Sequence, residues 1–111
     1  MPVLQTRKKW FNMMKSGERK EDYRKINIDY TMMFEQIYGK YWVLHRIDFD
    51  TTLPEKEVVF RCGYFKKAKL MRAICTLTKG YGKPEWGAKP DEKYYILHIK
   101  KILDEQEVKD E

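Results

Sequence analysis

Hydrophobic positions recur with two different spacings in the first forty residues, and the spacing predicts which elements form. Residues 3–6 have the apolar content of a short strand, whereas residues 8–16 place their large apolar side chains on one broad helical face. Gly17 then ends this helix. Apolar residues return at helical spacing over 28–37, which predicts a second helix with Asn27 or Asp29 as its N-cap and Gly39 at its end.

The rest of the chain carries the period of two that is typical of strands. Residues 69–79 are the clearest case, because Met71, Ala73, Cys75 and Leu77 face the opposite way from the polar side chains of Arg72, Thr76 and Thr78. Further strands are predicted within residues 42–49 and over residues 57–61 and 94–102. Loops or turns are predicted between them at 51–56, 63–67 and 80–91, and the last of these contains three glycines and two prolines.

A strand made almost entirely of charged residues follows the first helix. A period of two places Lys20, Asp22 and Arg24 on one of its faces. The opposite face then holds Arg19, Glu21, Tyr23 and Lys25. An acid held between two bases can orient them, and a guanidinium can form two parallel hydrogen bonds with a phosphate or with the edge of a base. Tyr23 either stacks on a ligand or fills the core.

This order of elements predicts an α+β fold with a small β-barrel of mixed or mostly antiparallel strands and flanking helices. A doubly wound parallel sheet is disfavoured, because the second half lacks the crossover helices that parallel strands require. The length of 111 residues predicts one domain, which we assign to residues 1–103. The acidic residues 104–111 are expected to form a solvated or disordered tail.

The distribution of charge adds a functional indication. The chain has 23 basic and 17 acidic side chains, a formal charge of +6, and the tail holds five of the acids and one lysine. Residues 1–103 therefore carry 22 basic and 12 acidic side chains, a formal charge of +10. Together with 16 aromatic residues, this composition suits a groove that binds phosphates and stacks bases. A soluble domain with an aromatic core has the same composition.

Several other classes of protein are disfavoured. Cys62 and Cys75 lack CxxC spacing and lie in apolar contexts, which predicts reduced core thiols of a cytoplasmic protein. His45 and His98 belong to no cluster with ligand spacing, so we expect no metal site, and no organic cofactor is implied. The chain has no signal-peptide pattern and no apolar run near the roughly 18 residues of a membrane span, so no membrane partner is expected.

The predicted loop at 80–91 contains a second group of candidate residues. Its glycines permit close backbone approach, while Lys83, Glu85 and Trp86 offer charge, hydrogen bonds and a stacking face. Trp86 either stacks on a ligand or packs over the end of the barrel. The loop does not match the nucleotide-binding P-loop pattern.

Three stretches of the chain resemble the ASCH family. They are Trp10-Phe11 with residues 17–24, Val58-Val59-Phe60-Arg61-Cys62-Gly63-Tyr64, and Gly82-Lys83-Pro84-Glu85-Trp86-Gly87-Ala88. In that family a helix ending in glycine precedes a strand with the pattern G-x-K-x-x-E-x-R. Gly17, Arg19, Asp22 and Arg24 match those positions, with two conservative departures. The resemblance spans approximately residues 3–102.

The resemblance implies a PUA-like fold and binding of RNA or a modified nucleobase. Some members are amidohydrolases that act on acetylated cytidine with a lysine at the third motif position and a threonine at the sixth. Arg19 and Asp22 occupy those positions here, and an arginine stays protonated, so that activity is not expected. The family also has an aromatic and basic segment after the motif, for which Tyr30 or the Tyr41-Trp42 to Arg46 stretch is the counterpart.

Three hypotheses follow. In the first, a binding domain holds single-stranded RNA or a modified nucleobase in a basic, aromatic-lined cleft. Its binding residues are expected to be Arg19, Lys20, Asp22, Tyr23, Arg24, Lys83, Glu85 and Trp86. In the second, the same cleft hydrolyses RNA or a modified nucleoside, with Lys20, Asp22, Lys83 and Glu85 as candidates for acid and base chemistry. In the third, the basic and aromatic surface recognises an acidic protein partner.

Overall fold

A computed structural model describes residues 2–45, 47 and 51–107. Five strands and three α-helices form within these residues. In chain order they are β1 (Val3–Gln5), α1 (Lys8–Lys15), β2 (Glu21–Lys25), α2 (Ile28–Tyr38), α3 (Lys40–His45), β3 (Leu53–Cys62), β4 (Lys69–Tyr81) and β5 (Lys93–Glu107). Short 3-10 turns at Phe65–Lys67 and Pro84–Trp86 lie between the long strands.

The strands form one mixed sheet in the order β1-β3-β4-β5-β2. β1 runs parallel to β3, and the other three pairings are antiparallel. Register shifts interrupt the β4–β5 ladder between Arg72 and Ala73 and again between Ile74 and Cys75. Such irregularities increase the bend of a sheet, and this sheet curls into a half-barrel. The expected α+β class and mixed, curved sheet are therefore confirmed.

The hydrophobic core lies between the sheet and the helices. The alternating residues predicted for β4 supply one wall of it, because Met71, Ala73 and Cys75 are each fully buried. Phe11 of α1 and Phe34 of α2 fill the same cluster from the helical side. The period of two in the sequence thus indicates correctly which face of β4 is buried.

Both predicted helices of the first half begin and end close to their expected residues. The Asn27 side chain accepts a hydrogen bond from the Tyr30 amide at 2.9 Å, which confirms Asn27 as the N-cap of α2. Gly17 and Gly39 have φ values of +85° and +97°, a conformation that glycine adopts without strain. These two glycines let the chain leave α1 and α2.

Three predictions for residues beyond 40 are corrected. The strand expected within 42–49 is wrong over its described part, because α3 occupies residues 40–45 and buries Val43 against the core; residues 46 and 48–50 lie outside the described part of the chain. The loop expected at 51–56 is mostly strand. β3 begins at Leu53, and its register shifts between Leu53 and Lys56, where the missing amide of Pro54 is tolerated.

The third correction concerns the acidic end of the chain. β5 continues to Glu107, so residues 104–107 belong to the sheet rather than to a solvated tail. Asp104 accepts hydrogen bonds from Arg72 on the neighbouring strand, and Glu105 forms an ion pair with Lys15 of α1. These cross-strand and strand-to-helix pairs hold the acidic residues in place. Residues 108–111 of the predicted tail lie outside the described residues.

Candidate ligand-binding cavity

A buried charged cluster stands at the start of β2. Asp22 accepts a hydrogen bond from Arg19 Nη1 through Oδ1 at 2.6 Å and one from Arg24 Nε through Oδ2 at 2.7 Å. The side chains of Arg19 and Asp22 are each 3% exposed, and that of Arg24 is 8% exposed. Two guanidinium groups share one carboxylate, so the cluster carries a formal charge of +1. Asp22 orients both arginines, as the sequence predicts for an acid between two bases.

The sequence assigns the wrong base to the face that holds Asp22, however. A period of two places Lys20 beside Asp22, but the strand begins only at Glu21, and Lys20 is exposed. In the turn that follows Gly17, before the strand begins, the Arg19 amide donates a hydrogen bond to the Met13 carbonyl at 2.9 Å. This turn directs Arg19 inward, where Lys20 was expected.

Arg24 is held on every side by protein atoms. Besides Asp22, it donates from Nη1 to the Gln5 carbonyl at 2.7 Å and from Nη2 to Thr6 Oγ1 at 3.0 Å. Nη1 also lies 3.3 Å from the Tyr30 hydroxyl. Burial alone would lower the pKa of Arg24, but the Asp22 carboxylate and, to a smaller extent, the Tyr30 hydroxyl raise it overall. Arg24 is therefore a fixed positive charge.

Arg19 keeps part of its hydrogen-bonding capacity. Its Nε donates to the Trp86 carbonyl at 3.1 Å, and Nη1 contacts Asp22 and the Met14 sulfur. Among the described residues no hydrogen-bond partner is found for Nη2, although the side chain is 3% exposed and lines a cavity. Two N–H donors of a buried guanidinium are thus available to a ligand.

The cluster forms one wall of a cavity of about 480 Å³. Aromatic rings form much of the remaining wall: Trp10, Tyr23, Tyr30, Trp86 and Tyr94. The Arg19 guanidinium lies 4.9 Å from the Trp10 ring and 5.6 Å from the Tyr23 ring. Such cation–π contacts hold the guanidinium plane against the aromatic wall. Arg7, Lys25 and Lys89 add positive charge to the lining.

Tyr23 connects β2 to the loop that carries Trp86. Its hydroxyl donates to Glu21 Oε1 at 2.9 Å and accepts from the Lys83 amide at 2.9 Å. Burial is the main reason that the pKa of Tyr23 rises to about 12, with the Glu21 carboxylate adding to the effect. The loop approaches closely because Gly82 has no side chain: a Cβ there would lie 2.6 Å from the Tyr23 ring.

The cavity brings together five of the eight residues that the sequence predicts for a binding site: Arg19, Asp22, Tyr23, Arg24 and Trp86. Lys20, Lys83 and Glu85 are exposed and do not line it. Lys83 instead places its ammonium group over the Trp86 ring, 4.5 Å from the ring centre. Of the two counterparts considered for the aromatic segment, Tyr30 lines the cavity and Tyr41 and Trp42 do not, while Arg46 lies outside the described residues.

Sequence reasoning misses other parts of the lining. Trp10 looks like a core residue of an amphipathic helix, and Tyr94 looks like an ordinary strand residue. Gln5 and Thr6 contribute through a backbone carbonyl and a hydroxyl that no motif marks. The available signal is the density of aromatic residues around the charged strand, which indicates an aromatic site without saying which rings line it.

No group of three or more residues in the described part of the chain is arranged to hold a metal ion. Nor is any described helix both long enough and apolar enough to cross a bilayer. Comparison of the chain with protein-family models, with curated proteins and with solved structures found no match.

Proposed function

We propose that the protein is a PUA-like domain of the ASCH type that binds a base of single-stranded RNA, or a modified nucleobase, in the cavity beside Asp22. The observation that carries the proposal is a buried +1 cluster with free Arg19 donors inside an aromatic-walled cavity of about 480 Å³. That volume lies within the range of about 300–1,000 Å³ common for small-molecule sites. A planar, acceptor-rich ligand fits these features best.

The available donors and rings suit a nucleobase. Arg19 Nη2 can donate to a carbonyl oxygen or ring nitrogen on the base edge, as arginine commonly does to guanine. Trp86 and Tyr23 line the cavity together with Arg19, and aromatic stacking contributes about 1–3 kcal/mol per base. Arg7, Lys25 and Lys89 provide the positive charge that a phosphate backbone requires.

The assignment to the ASCH type is part of the same proposal. It is supported by the match of Gly17, Arg19, Asp22 and Arg24 to the family pattern and by a curled mixed sheet that is compatible with a small barrel. The site lies where those motif residues meet the loop at 82–88. Both the motif and the loop stretch of the resemblance thus contribute to one cavity.

The geometry favours binding over hydrolysis. Lys20, Lys83 and Glu85 lie outside the cavity, and both oxygens of the Asp22 carboxylate accept hydrogen bonds from guanidinium groups. A guanidinium does not release its proton to a substrate under ordinary conditions. None of the four residues proposed for acid and base chemistry is therefore placed to act on a ligand in the cavity.

The test is the anisotropy of fluorescent single-stranded RNA titrated with protein over a series of salt concentrations. Wild type should bind with an affinity that falls as salt rises, and Trp86→Ala should weaken binding at least tenfold at every salt concentration. Tyr81→Ala is the matched control, because Tyr81 is an exposed aromatic residue outside the cavity. Equal binding by all three proteins would contradict the proposal.

The hypothesis of an acidic protein partner predicts a different result. RNA binding would be absent, and association with the partner would persist after nuclease treatment. Lys20→Ala and Glu85→Gln would be silent in the RNA titration in either case, because both residues lie outside the cavity.

A further inference from the structure

A second cavity of about 770 Å³ adjoins the first. Gln5, Thr6, Arg7 and Tyr30 line both cavities, so the two share a wall at the end of β1 and the start of α1. A ligand that fills the first cavity and continues past Arg7 enters the second. The arrangement places two sites next to each other on one surface.

The second cavity has the charge of a phosphate-binding surface. Lys8, Lys67 and Lys69 line it together with Arg7, and no acidic side chain does so among the described residues. Lys69 lies 3.6 Å from Glu105 and is partly neutralised. Within the described part of the chain, no acidic group lies within ion-pair distance of Lys8 or Lys67. Their charges are available to an anion.

An exposed aromatic ring also lines the second cavity. Tyr64 lines the second cavity and is 69% exposed, so its ring is accessible to a ligand there. The turn that carries it is fixed by Gly63, whose φ is +89° and where a Cβ would lie 2.8 Å from the Lys67 carbonyl oxygen. The Gly63 carbonyl in turn accepts a hydrogen bond from Gln5 Nε2 at 3.2 Å. This contact ties the Tyr64 turn to the wall that both cavities share.

Of the described residues, the four that line both cavities include no acidic side chain. Arg7 precedes α1 and makes no side-chain capping hydrogen bond, and the first turn of α1 contains no acidic residue. Arg7 lines both cavities and Lys8 lines the second, so a phosphodiester that crosses here is close to two positive charges. Its neighbours would be a base in each cavity.

On the basis of the proposed function, we infer that the ligand is a polynucleotide strand rather than a free nucleoside. One base occupies the first cavity, the phosphodiester crosses at Arg7, and the adjacent nucleotide occupies the second cavity with its base against Tyr64. Lys67 contacts the phosphate on the far side of that nucleotide. The protein therefore binds at least two consecutive nucleotides, one in each cavity.

The test compares ligands of different length by quenching of tryptophan fluorescence, since Trp10 and Trp86 line the first cavity. The probes are the four nucleoside 5′-monophosphates and the four matching homodinucleotides with a 5′-phosphate. We expect at least one dinucleotide to bind wild type tenfold or more tightly than its monophosphate. The double variant Tyr64→Ala, Lys67→Ala should lose this advantage while keeping the affinity for the monophosphate.

The matched control is Tyr81→Ala, Lys56→Ala, which removes one exposed ring and one exposed lysine away from both cavities. It should retain the full advantage of the dinucleotide. Equal affinities for the two ligand lengths in wild type would overturn this inference and leave the proposed function standing. A double variant that weakens both ligands equally would also overturn it. Failure of every probe to bind, including a longer oligonucleotide, would overturn the proposed function and this inference together.

Discussion

The Arg24 guanidinium on β2 donates to the Gln5 carbonyl of β1 at 2.7 Å and so joins the two edge strands of the sheet. β1 and β2 stand at opposite ends of the strand order and share no backbone ladder. A side chain therefore bridges the gap that backbone pairing leaves open in the half-barrel. The same side chain lines the cavity, so the stability of the sheet and the shape of the site depend on one residue.

Replacing Arg24 with alanine should strongly destabilise the fold. The substitution leaves the Asp22 carboxylate with one guanidinium partner and removes the donors to Gln5 and Thr6. Breaking a buried, hydrogen-bonded ion pair costs about 3–5 kcal/mol. Urea unfolding followed by circular dichroism should show a loss of this size.

The matched control for that experiment is Arg72→Ala. Arg72 also contacts two carboxylates, Asp104 and Glu57, but it is 44% exposed. At such an exposed site, water solvates the two carboxylates once the arginine is removed. The loss of unfolding free energy should therefore be far smaller than for Arg24→Ala. Equal losses in the two variants would contradict the view that Arg24 is a buried bridge.

Gly82→Ala should distort the cavity wall through Tyr23. A Cβ at this position would lie 2.6 Å from two atoms of the Tyr23 ring and 2.8 Å from Ala88 Cβ. Overpacking of this kind typically costs about 1–3 kcal/mol. The displaced ring should also lose its hydrogen bond with the Lys83 amide, so the loop at 82–88 should exchange its amide protons faster.

Gly80→Ala provides the comparison, because a Cβ there meets only Ile96 Cδ1 at 3.6 Å, an ordinary contact distance. The melting temperature of Gly82→Ala should be clearly lower than that of Gly80→Ala. If Gly80→Ala and Gly82→Ala had the same melting temperature, the close approach of the loop to Tyr23 would not constrain the fold.

His98 should make stability fall on mild acidification. Partial burial, and secondarily the charge of Lys100, lower its pKa below 6.5, although Glu21 opposes the shift. The unfolded state therefore binds this proton at a higher pH than the folded state does. Stability is then fully present above the unfolded pKa of about 6.5 and is lost as the pH falls toward the lower folded value.

The measurement is the difference in unfolding free energy between pH 7.5 and pH 5.5. His98→Gln should show a smaller loss than wild type, because glutamine does not protonate but can still bond the Thr78 hydroxyl, which lies 2.7 Å from His98 Nε2. His45→Gln, at an exposed position on α3, should behave like wild type. If the unfolding free energy of His98→Gln fell between these two pH values by as much as that of wild type, His98 would not be the origin of the pH dependence.

The two cysteines should differ in reactivity while the protein is folded. Burial, and to a smaller extent the Asp22 carboxylate, raises the pKa of Cys75 to about 12. Because the thiolate is the reactive form, iodoacetamide at pH 8 should label partly exposed Cys62 well before Cys75. Mass spectrometry of Cys62→Ser and Cys75→Ser variants, with and without denaturant, identifies each site. Equal labelling rates in the folded protein would contradict the burial of Cys75.

The sequence predicts elements well where local signals agree with packing. The alternation of β4 and the Asn27 cap of α2 are both confirmed. Residues 42–49 are ambiguous, because their short apolar run fits a strand as well as one buried helical turn, and only packing of Val43 decides for α3. Residues 104–107 join β5 through partners such as Arg72, which are distant in sequence and leave no local signal.

The residues of the candidate site likewise fall into those that the local sequence predicts and those that only the fold brings together. The motif residues Asp22 and Arg24 can be chosen from their spacing alone, and their pairing is confirmed. The exchange of Lys20 for Arg19 depends on where the strand starts, which a period of two does not determine. Trp10 and Tyr94 reach the cavity only because α1, β2 and β5 meet there, so their role follows from the fold and not from any motif.

The most direct test of the central claim is ultraviolet crosslinking of the protein to single-stranded RNA, with the crosslinked residues identified by mass spectrometry. If RNA occupies both cavities, crosslinks should form at Trp86, Trp10 or Tyr23 in the first cavity and at Tyr64 in the second, and all should be lost in competition with unlabelled RNA. Crosslinks confined to exposed aromatic residues elsewhere, such as Tyr41 or Tyr81, or no crosslinks under conditions in which RNA binds, would contradict this claim.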